Sequence, residues 1–325
     1  MQPILALKAT VLAASLILTP SLNHAEELIA AIVGPIETAQ GQGLQYFGER
    51  LSELTNGEMT LKIFPDAQLG NGSELLEQVA GGQVDIFPAV PGNMADWVPE
   101  IQVLSVPFLF RDFNHWKSVL DGEIGVTLSQ KMADNSDVMI VGFFGGSVRN
   151  LVSKPNVADP TNLDNLKMRL HANPLLVESW RAIGAAPTVL AYGEIYNALQ
   201  LNVLDALENE PEWVLRMKFH EQASNYVLTE HEIVTRPLVF SKSRFEGFNG
   251  AQQAAVLQAA REAAEFQREL EHSLDAESRT ILKEKHGMNF VNVDKAAIVE
   301  LVAPAAAAVI EELGLTQIVT EIRSN

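Results

Sequence analysis

Stretches typical of β-strands and α-helices alternate along most of this 325-residue chain, and this alternation is the feature that most restricts its fold. Residues 28–33 form a continuous apolar run, and apolar residues recur at helical spacing over residues 44–54. Residues 59–64 alternate as a half-buried strand, residues 74–79 are typical of a helix, and residues 84–87 are typical of a buried strand. Strands that alternate with helices predict an α/β protein with a mostly parallel sheet.

A second unit of the same kind begins near residue 138. It contains predicted strands at 138–144, 167–170, 203–207 and 233–240 and a predicted helix at 192–200. A long helical stretch without Pro then runs from Gln252 to His286, and Asn249 is its predicted capping residue. A short strand at 289–293 and an Ala-rich helix close the chain. This length suggests two domains, and the long helix is predicted to pack across both.

The first 25 residues have the order of a secretory signal peptide. Lys8 precedes an apolar run over residues 9–18, and small residues follow up to Ala25. The run is shorter than the ~20 apolar residues that a membrane-spanning helix requires, and Glu26 and Glu27 follow directly. We therefore predict export to the periplasm, cleavage near Ala25 and no membrane insertion of the mature chain. A buried N-terminal helix is the alternative.

Composition and missing motifs argue against several classes of function. The 41 acidic and 23 basic residues give a net charge of -18, which repels phosphate backbones, so nucleic acid is not an expected partner. Without Cys, the chain has no thiol nucleophile, disulfide or thiolate metal site. Neither His220-Glu221 nor His231-Glu232 is followed by a second His one helical turn on, and no dinucleotide or Walker loop is present. We therefore predict no catalytic residues, no metal and no cofactor, although paired carboxylates leave little trace in a sequence.

A series of short motifs carries a more specific signal. In chain order they are Phe64-Pro65-Asp66-Ala67-Gln68-Leu69-Gly70, Gly82-Gln83-Val84-Asp85, Pro107-Phe108-Leu109-Phe110, Val119-Leu120-Asp121-Gly122, Lys167-Met168-Arg169, Tyr192-Gly193-Glu194-Ile195-Tyr196-Asn197-Ala198-Leu199-Gln200 and Glu208-Asn209. Any one of them is a weak signal, but their order and spacing are specific. Together they resemble the solute-binding proteins of tripartite ATP-independent periplasmic (TRAP) transporters over essentially the whole mature chain.

This resemblance implies a periplasmic-binding-protein-like clamp of two α/β domains, joined by crossing strands and a long helix. Domain I would comprise residues 26–145, 235–274 and 302–325, and domain II would comprise residues 146–234 and 275–301. The resemblance also implies that the clamp closes on a small organic acid. The receptor would then deliver the acid to the membrane subunits of a TRAP transporter.

The resemblance further assigns residues to the ligand. Arg169 corresponds to the arginine that binds the ligand carboxylate, and Arg149 corresponds to a second arginine. Asn209 matches a ligand-binding asparagine, and Tyr192 matches an aromatic residue that packs on the ligand. The chain departs from the family pattern at Glu210, because the family commonly has Pro directly after the Glu-Asn pair. This departure concerns the rim of the site rather than its arginines.

The chemistry of these side chains fits those roles, but it also fits simpler ones. A guanidinium donates two parallel hydrogen bonds to a carboxylate, and a strand fixes Arg169 more firmly than a loop would. Taken alone, however, the pattern favours an outward-facing arginine at 169 and a surface arginine at 149, after a Gly-Gly-Ser turn. Glu208 is predicted to hold one arginine in place, or else to be a solvated loop carboxylate. Asn209 is typical of a hydroxyl partner or of an Asx turn.

Other polar residues are candidates because of their positions. Gln40 follows the first strand and Asn93 lies in the analogous loop after residues 84–90, where ligands of open α/β sheets gather, although each also fits an ordinary turn. Glu74 begins a helix and is a candidate partner for ligand hydroxyls, although a carboxylate is favourable there without any ligand. Trp213, close to Asn209 in sequence, is either a packing residue or a platform for a sugar.

The leading prediction is a receptor for a small carboxylate, with a sugar acid such as D-glucuronate or D-galacturonate favoured. The polar groups of Gln40, Glu74, Asn93 and Asn209 would remain unsatisfied around a bare diacid. The alternatives are a C4-dicarboxylate receptor for succinate or malate, a secreted enzyme that acts on an acidic sugar, and a structural or signalling module.

Overall fold

The computed structural model describes residues 25–161 and 163–325. The predicted signal peptide, apart from Ala25, therefore lies outside the described residues. Within those ranges the strands are β1 (Glu26–Ala31), β2 (Met59–Phe64), β3 (Ile86–Pro88), β4 (Val138–Ser153), β5 (Lys167–Leu170), β6 (Ala186–Val189), β7 (Ala206–Asn209), β8 (Asn225–Ser241) and β9 (Asn289–Val291). The strands predicted at 59–64 and 167–170 are confirmed with the same bounds.

The helices cover both faces of the sheet that these strands form. They are α1 (Ala39–Leu54), α2 (Gly72–Ala80), α3 (Phe113–Asp121), α4 (Glu123–Asn135), α5 (Pro174–Ala182), α6 (Ile195–Gln200), α7 (Pro211–Arg216), α8 (Lys242–Gly247), α9 (Gly250–Glu284), α10 (Lys295–Glu312) and α11 (Thr316–Ser324). The predicted long helix is α9. Asn249 caps it as predicted, since its side chain accepts hydrogen bonds from the backbone N–H groups of Ala251 and Gln252.

The strands form one mixed sheet in the order β2-β1-β3-β8-β4-β7-β5-β6, with β9 beside β8. The outer pairs are parallel, as predicted, but the two longest strands, β4 and β8, run antiparallel to each other through the middle. We call the part that contains β1–β3 the first half of the sheet and the part that contains β5–β7 the second half. Both β4 and β8 extend from one half into the other, so these two strands connect them.

The segment before Arg149 is a bulge within β4, and the predicted Gly-Gly-Ser turn was wrong. Gly145 and Gly146 have φ angles of +119° and +109°, and the register with β8 shifts between Gly145 and Val148. Glycine adopts such angles without the steric cost of a Cβ atom, and a bulge bends the strand without ending it. Arg149 therefore lies on a continuous central strand and not on a surface loop.

Apolar side chains bury the sheet on both sides. In the first half, Ala31 packs in a cluster that includes α2, whereas Leu28 and Ala30 pack in a cluster that includes α1 and α9. In the second half, Ala206 and Leu207 of β7 enter two different clusters, because neighbouring residues of a strand point to opposite faces. This arrangement confirms the α/β class. No helix within the described ranges is both long and apolar enough to cross a membrane.

Candidate ligand-binding site

A cavity of about 260 Å³ is lined by residues from both halves of the sheet. Much of its lining follows the carboxyl ends of parallel strands, where ligands of open α/β sheets bind. The sequence-based candidates that line it are Gln40, Asn93, Arg149, Arg169, Tyr192 and Asn209. Lining residues that the sequence did not assign to the ligand include Asn71, Ser73, Phe87, His171 and Arg236, and Trp213, which the sequence left open, also lines the cavity. The cavity thus combines cationic, amide and hydroxyl groups with apolar walls, as small-molecule sites do.

Arg169 is a buried arginine that has no acidic partner among the residues that the structure describes. Its side chain, 6% exposed, lies on β5, and its Nε donates a hydrogen bond to the carbonyl oxygen of Leu190 at 3.0 Å. It forms no salt bridge with any carboxylate in the part of the chain that the structure describes. Burial lowers the pKa of Arg169 to about 10, so the guanidinium is still charged at neutral pH. A desolvated charge of this kind, beside a cavity, favours an anionic ligand.

Arg149 is equally buried, but it is already paired. Its Nη1 donates to both carboxylate oxygens of Glu208, at 2.8 and 2.7 Å, and its Nε lies 3.5 Å from Glu210 Oε2. Burial is the largest single effect on both partners and opposes their ionisation, but the surrounding charges and hydrogen bonds together outweigh it. Glu208, Glu210 and Glu232 hold the pKa of Arg149 well above its ordinary value, and Arg149, His171 and His231 hold the pKa of Glu208 well below its own. Glu208 therefore holds Arg149 in place.

A third arginine, Arg236 of β8, was missed by the sequence analysis. Its Nη1 donates to Glu271 Oε1 at 3.0 Å, and its Nη2 donates to Glu210. Its guanidinium carbon also lies 5.5 Å from the centroid of the Trp213 ring. The available signal was a single arginine inside the apolar strand predicted at 233–240. An arginine in such a strand requires buried acidic partners, and Glu210 and Glu271 provide them.

Tyr192, Asn209 and Trp213 form an aromatic and amide wall. Asn209 Nδ2 donates to the Tyr192 hydroxyl oxygen at 2.7 Å, and Asn209 Oδ1 accepts from the backbone N–H of Glu210 at 3.0 Å. The Tyr192 and Trp213 rings meet edge to face, with centroids 5.5 Å apart. Burial raises the pKa of Tyr192 above its ordinary value, so its hydroxyl keeps its proton. Because this hydroxyl accepts from Asn209, its own proton is available for a ligand oxygen.

The candidates of the first half separate into two groups. Gln40 lies in the first turn of α1, and Asn93 donates through Nδ2 to Ser73 Oγ at 3.2 Å; both line the cavity. Glu74 is exposed and does not line it. The Glu74 carboxylate instead accepts from the backbone N–H of Asn71 at 2.8 Å and completes the capping box of α2. Glu74 therefore lies at the helix N-terminus, where the sequence already made a carboxylate favourable without any ligand, and it also caps the helix.

A buried group behind the cavity has the composition of a metal site. Single ligand atoms of Glu208, His231 and Glu232 all lie within 4.8 Å of one another. Arg149, however, donates two hydrogen bonds to Glu208 and already supplies positive charge at this position. Burial raises the pKa of Glu232 to about 8 despite the opposing effect of Arg149, so a proton neutralises this carboxyl in turn. Arg149 and the proton on Glu232 thus compensate the negative charges that a metal cation would otherwise compensate.

Close backbone approaches on two sides bring the halves of the sheet together around the cavity. A Cβ atom on Gly34, after β1, would lie 2.3 Å from the Trp213 ring, and one on Gly92 would lie 2.4 Å from the carbonyl oxygen of Ala172. Both contacts join a loop of the first half to the second half. A mixed sheet with two long shared strands, a cavity between its halves and arginines in that cavity together define a periplasmic-binding-protein-like clamp.

The chain belongs to the DctP family, the bacterial extracellular solute-binding proteins of family 7, whose family model matches residues 30–313. This is a family of extracytoplasmic receptors and not a family of enzymes. A solute-binding protein of Sulfitobacter sp. (strain NAS-14.1) is 34% identical over 292 residues, which cover 89% of this chain and 88% of that protein.

Solved structures of TRAP periplasmic solute-binding proteins have the same fold. One from Roseobacter denitrificans OCh 114, with bound L-galactonate, is 31% identical with a TM-score of 0.84, and the match covers 89% of this chain and 99% of that one. Another from Citrobacter koseri, with bound D-glucuronate, is 28% identical with a TM-score of 0.85, and the match covers 91% and 99% of the two chains. The fold class and the family resemblance predicted from the sequence are therefore confirmed.

Proposed function

We propose that this protein is the extracytoplasmic receptor of a TRAP transporter for a hexuronate such as D-glucuronate or D-galacturonate. The observation that carries this proposal is Arg169, a charged and buried arginine that lines the cavity and has no acidic partner within residues 25–161 and 163–325. A ligand carboxylate would accept the parallel hydrogen bonds that its terminal nitrogens can donate. The ligand would thereby complete the charge pairing of the site.

The number of unpaired arginines favours one carboxylate on the ligand. Arg149 and Arg236 already have the partners Glu208, Glu210 and Glu271, so only Arg169 is left for an acid. A C4-dicarboxylate would bring a second carboxylate without an unpaired cation to receive it. The amides and hydroxyls of the lining would instead pair with sugar hydroxyls. These polar groups are Gln40, Asn71, Ser73, Asn93, Tyr192 and Asn209.

The cavity size and the ligands of similar proteins support the same class. A volume of about 260 Å³ lies at the lower end of small-molecule sites and favours a single sugar acid over a larger saccharide. D-glucuronate and L-galactonate, bound in the structures compared above, each combine one carboxylate with several hydroxyls.

No Asp or Glu lines this cavity among the described residues, which favours a receptor over an enzyme that acts on an acidic sugar. Glycosidases commonly place two carboxyl groups on either side of the reacting bond. The buried carboxylates nearest the cavity, Glu208 and Glu210, are engaged by arginines. The protein would therefore bind its ligand without changing it.

The proposal includes export, two moving lobes and a membrane partner. Cleavage near Ala25 would release a chain whose residues 26–145, 235–274 and 302–325 form one lobe and whose residues 146–234 and 275–301 form the other. The lobes would close on the acid, and the closed receptor would dock on TRAP membrane subunits. N-terminal sequencing of periplasmic protein tests the cleavage, and a chain that still begins at Met1 would contradict it.

Calorimetric titration of the wild-type protein tests the proposed ligand. The panel comprises D-glucuronate, D-galacturonate, L-galactonate, succinate and malate. We expect one-to-one binding that is tightest for a hexuronate, with succinate and malate far weaker. Tighter binding of either diacid would favour the C4-dicarboxylate alternative. Chemical conversion of the added acid, followed by mass spectrometry, would favour the enzyme.

A further inference from the structure

Helix α7 of the second half contacts the first turn of α1 in the first half. The carboxylate of Glu212 accepts hydrogen bonds from the backbone N–H of Ala39, at 3.1 Å to Oε1 and 3.2 Å to Oε2. The N–H groups in the first turn of a helix have no partner within the helix, and the helix dipole favours an anion there. Thr38 satisfies the N–H of Gly41, and Glu212 satisfies that of Ala39 from another part of the fold.

The next residue of α7 makes a second contact with the first half. The Trp213 ring fills the space beside Gly34, where a Cβ atom would lie only 2.3 Å from a ring carbon. Trp213 is 3% exposed and is held on its other sides by the Tyr192 ring and the Arg236 guanidinium. The ring therefore has little room to move away, and the fit at Gly34 requires a residue without a side chain.

We propose that two contacts between the lobes, of Glu212 with Ala39 and of Trp213 with Gly34, stabilise the closed clamp and thereby set the ligand affinity. We call these two contacts the latch. This inference rests on the proposed two-lobed receptor. Glu212 does not line the cavity, so it acts as a positioning residue and has no direct contact with the ligand. Gln40 follows Ala39, and Asn209 precedes α7 on β7, so the latch holds two cavity-lining residues in place.

The surroundings of Glu212 identify a matched variant. Glu271 and Asp275 of α9 face it, Arg216 of its own helix acts in the opposite direction, and Asp275 Oδ1 accepts from the Glu212 backbone N–H at 3.3 Å. Burial, reinforced by Glu271, raises the pKa of Glu212 to about 8. Glutamine retains an acceptor for the Ala39 N–H and, like the protonated carboxyl, carries no charge. Alanine removes the acceptor altogether.

The first test measures D-glucuronate binding to Glu212→Ala and Glu212→Gln by calorimetry and stopped-flow Trp fluorescence. We expect Glu212→Ala to raise Kd roughly tenfold through faster dissociation, the size expected when a buried hydrogen bond is lost. Glu212→Gln should remain within about threefold of wild type, since it retains the acceptor. The melting temperature of the ligand-free protein should be the same in all three, because the latch forms only on closure.

The second test uses a pair of glycines. Gly34→Ala places a methyl group against the Trp213 ring and should prevent full closure, with a larger loss of D-glucuronate affinity than Glu212→Ala. Gly193→Ala is the matched control, because a Cβ atom there has no neighbour within 4 Å although the residue adjoins Tyr192 of the cavity wall. Small-angle scattering should show ligand-induced contraction in Gly193→Ala and a reduced contraction in Gly34→Ala.

The outcomes separate the latch from the proposed function. Wild-type Kd in both Glu212→Ala and Gly34→Ala would overturn the latch and leave the receptor proposal intact. An equal loss of ligand-free stability with an unchanged Kd would make Glu212 purely structural and would also overturn it. A wild-type protein that binds none of the acids in the panel would overturn the proposed function, and the latch with it.

Discussion

Arg169 and Arg149 line the same cavity and are exposed to the same extent, 6%, yet their surroundings differ. Arg149 donates two hydrogen bonds to Glu208 and faces Glu210, whereas Arg169 donates to one backbone carbonyl oxygen and has no carboxylate partner among the described residues. The pKa values follow this difference. Burial acts against both charges, but carboxylates raise the pKa of Arg149, and the pKa of Arg169 falls to about 10.

Pairing, rather than burial, separates a structural arginine from one that is available to a ligand. A buried charge is costly until an opposite charge or several hydrogen bonds compensate it. The fold compensates Arg149 and Arg236 internally. The fold leaves the charge of Arg169 to be compensated by a ligand in the cavity.

The largest expected effect on stability comes from removal of the paired arginine. Arg149→Ala would leave the buried carboxylate of Glu208 without the cation that pairs with it, so we expect the free energy of unfolding to fall by about 3 to 5 kcal/mol. Urea unfolding of the ligand-free protein measures this loss. Arg169→Ala is the control and should lose less than about 1 kcal/mol. Equal losses in the two variants would remove the distinction between the arginines.

Arg169→Ala should instead impair ligand binding. It would leave the ligand carboxylate desolvated without its two donors, at an expected cost of about 2 to 5 kcal/mol. This corresponds to an increase in Kd on the order of 30-fold to several thousandfold. Calorimetry with D-glucuronate measures it, and circular dichroism verifies the fold.

Arg169→Lys separates the effect of charge from that of geometry, because it retains the positive charge and loses the two parallel donors of the guanidinium. We expect it to remain clearly impaired. Wild-type affinity in Arg169→Ala would show that another group binds the carboxylate.

Tyr192→Phe should have a smaller effect. It removes the hydroxyl that accepts from Asn209 and whose proton is free for a ligand oxygen, so we expect a loss of about 0.5 to 1.5 kcal/mol in binding. Calorimetry with D-glucuronate measures this, and Tyr196→Phe, on the exposed side of α6, is the matched control. A loss as large as that of Arg169→Ala would place the dominant contact on the aromatic wall.

The free energy of unfolding should depend on pH through the buried carboxyls whose pKa is raised, and not through Glu208. Burial raises the pKa of Glu232 to about 8 and that of Asp275 to about 7. Between their ordinary values and these values the folded protein binds more protons than the unfolded chain, so the free energy of unfolding should fall as pH rises through this window. The depressed pKa of Glu208 acts only in more acidic solution.

Urea unfolding midpoints at about pH 6 and about pH 8.5 test this sign, with the higher midpoint expected at the lower pH. A double variant, Glu232→Gln with Asp275→Asn, should flatten the profile. A midpoint that rises toward alkaline pH would show that these carboxyls are ionised and paired in the folded protein.

The sequence predicted the elements whose apolar pattern is local. The alternation over residues 59–64 and the capping residue Asn249 identified β2 and α9 without knowledge of any contact. Prediction from apolar patterns failed where polar residues are buried in the middle of a strand. β8 begins at Asn225 and contains Thr229, His231 and Glu232, all buried, which a search for apolar runs does not recognise as strand.

The sequence predicted only part of the cavity lining, again because buried polar residues leave no apolar pattern. Arg169 and Asn209 were identified because their motifs resemble a family. Chemistry alone favoured an outward-facing Arg169 and left Asn209 open between a hydroxyl partner and an Asx turn. His171 follows Arg169 by two residues and lines the same cavity, so the alternation of a strand was an unused signal. The pairing of Arg236 with Glu210 and Glu271, and of Glu212 with Ala39, joins residues far apart in sequence, and only the tertiary structure reveals it.

A crystal structure of the complex with D-glucuronate tests whether Arg169 binds the ligand carboxylate. The measured quantity is the set of distances between the ligand carboxylate oxygens and the guanidinium nitrogens of the three arginines. We predict that both oxygens lie about 2.7 to 2.9 Å from nitrogens of Arg169, the range of charge-assisted hydrogen bonds, while Arg149 remains bound to Glu208. A carboxylate bound away from Arg169, with Arg169 facing only sugar hydroxyls or solvent, would contradict the central claim.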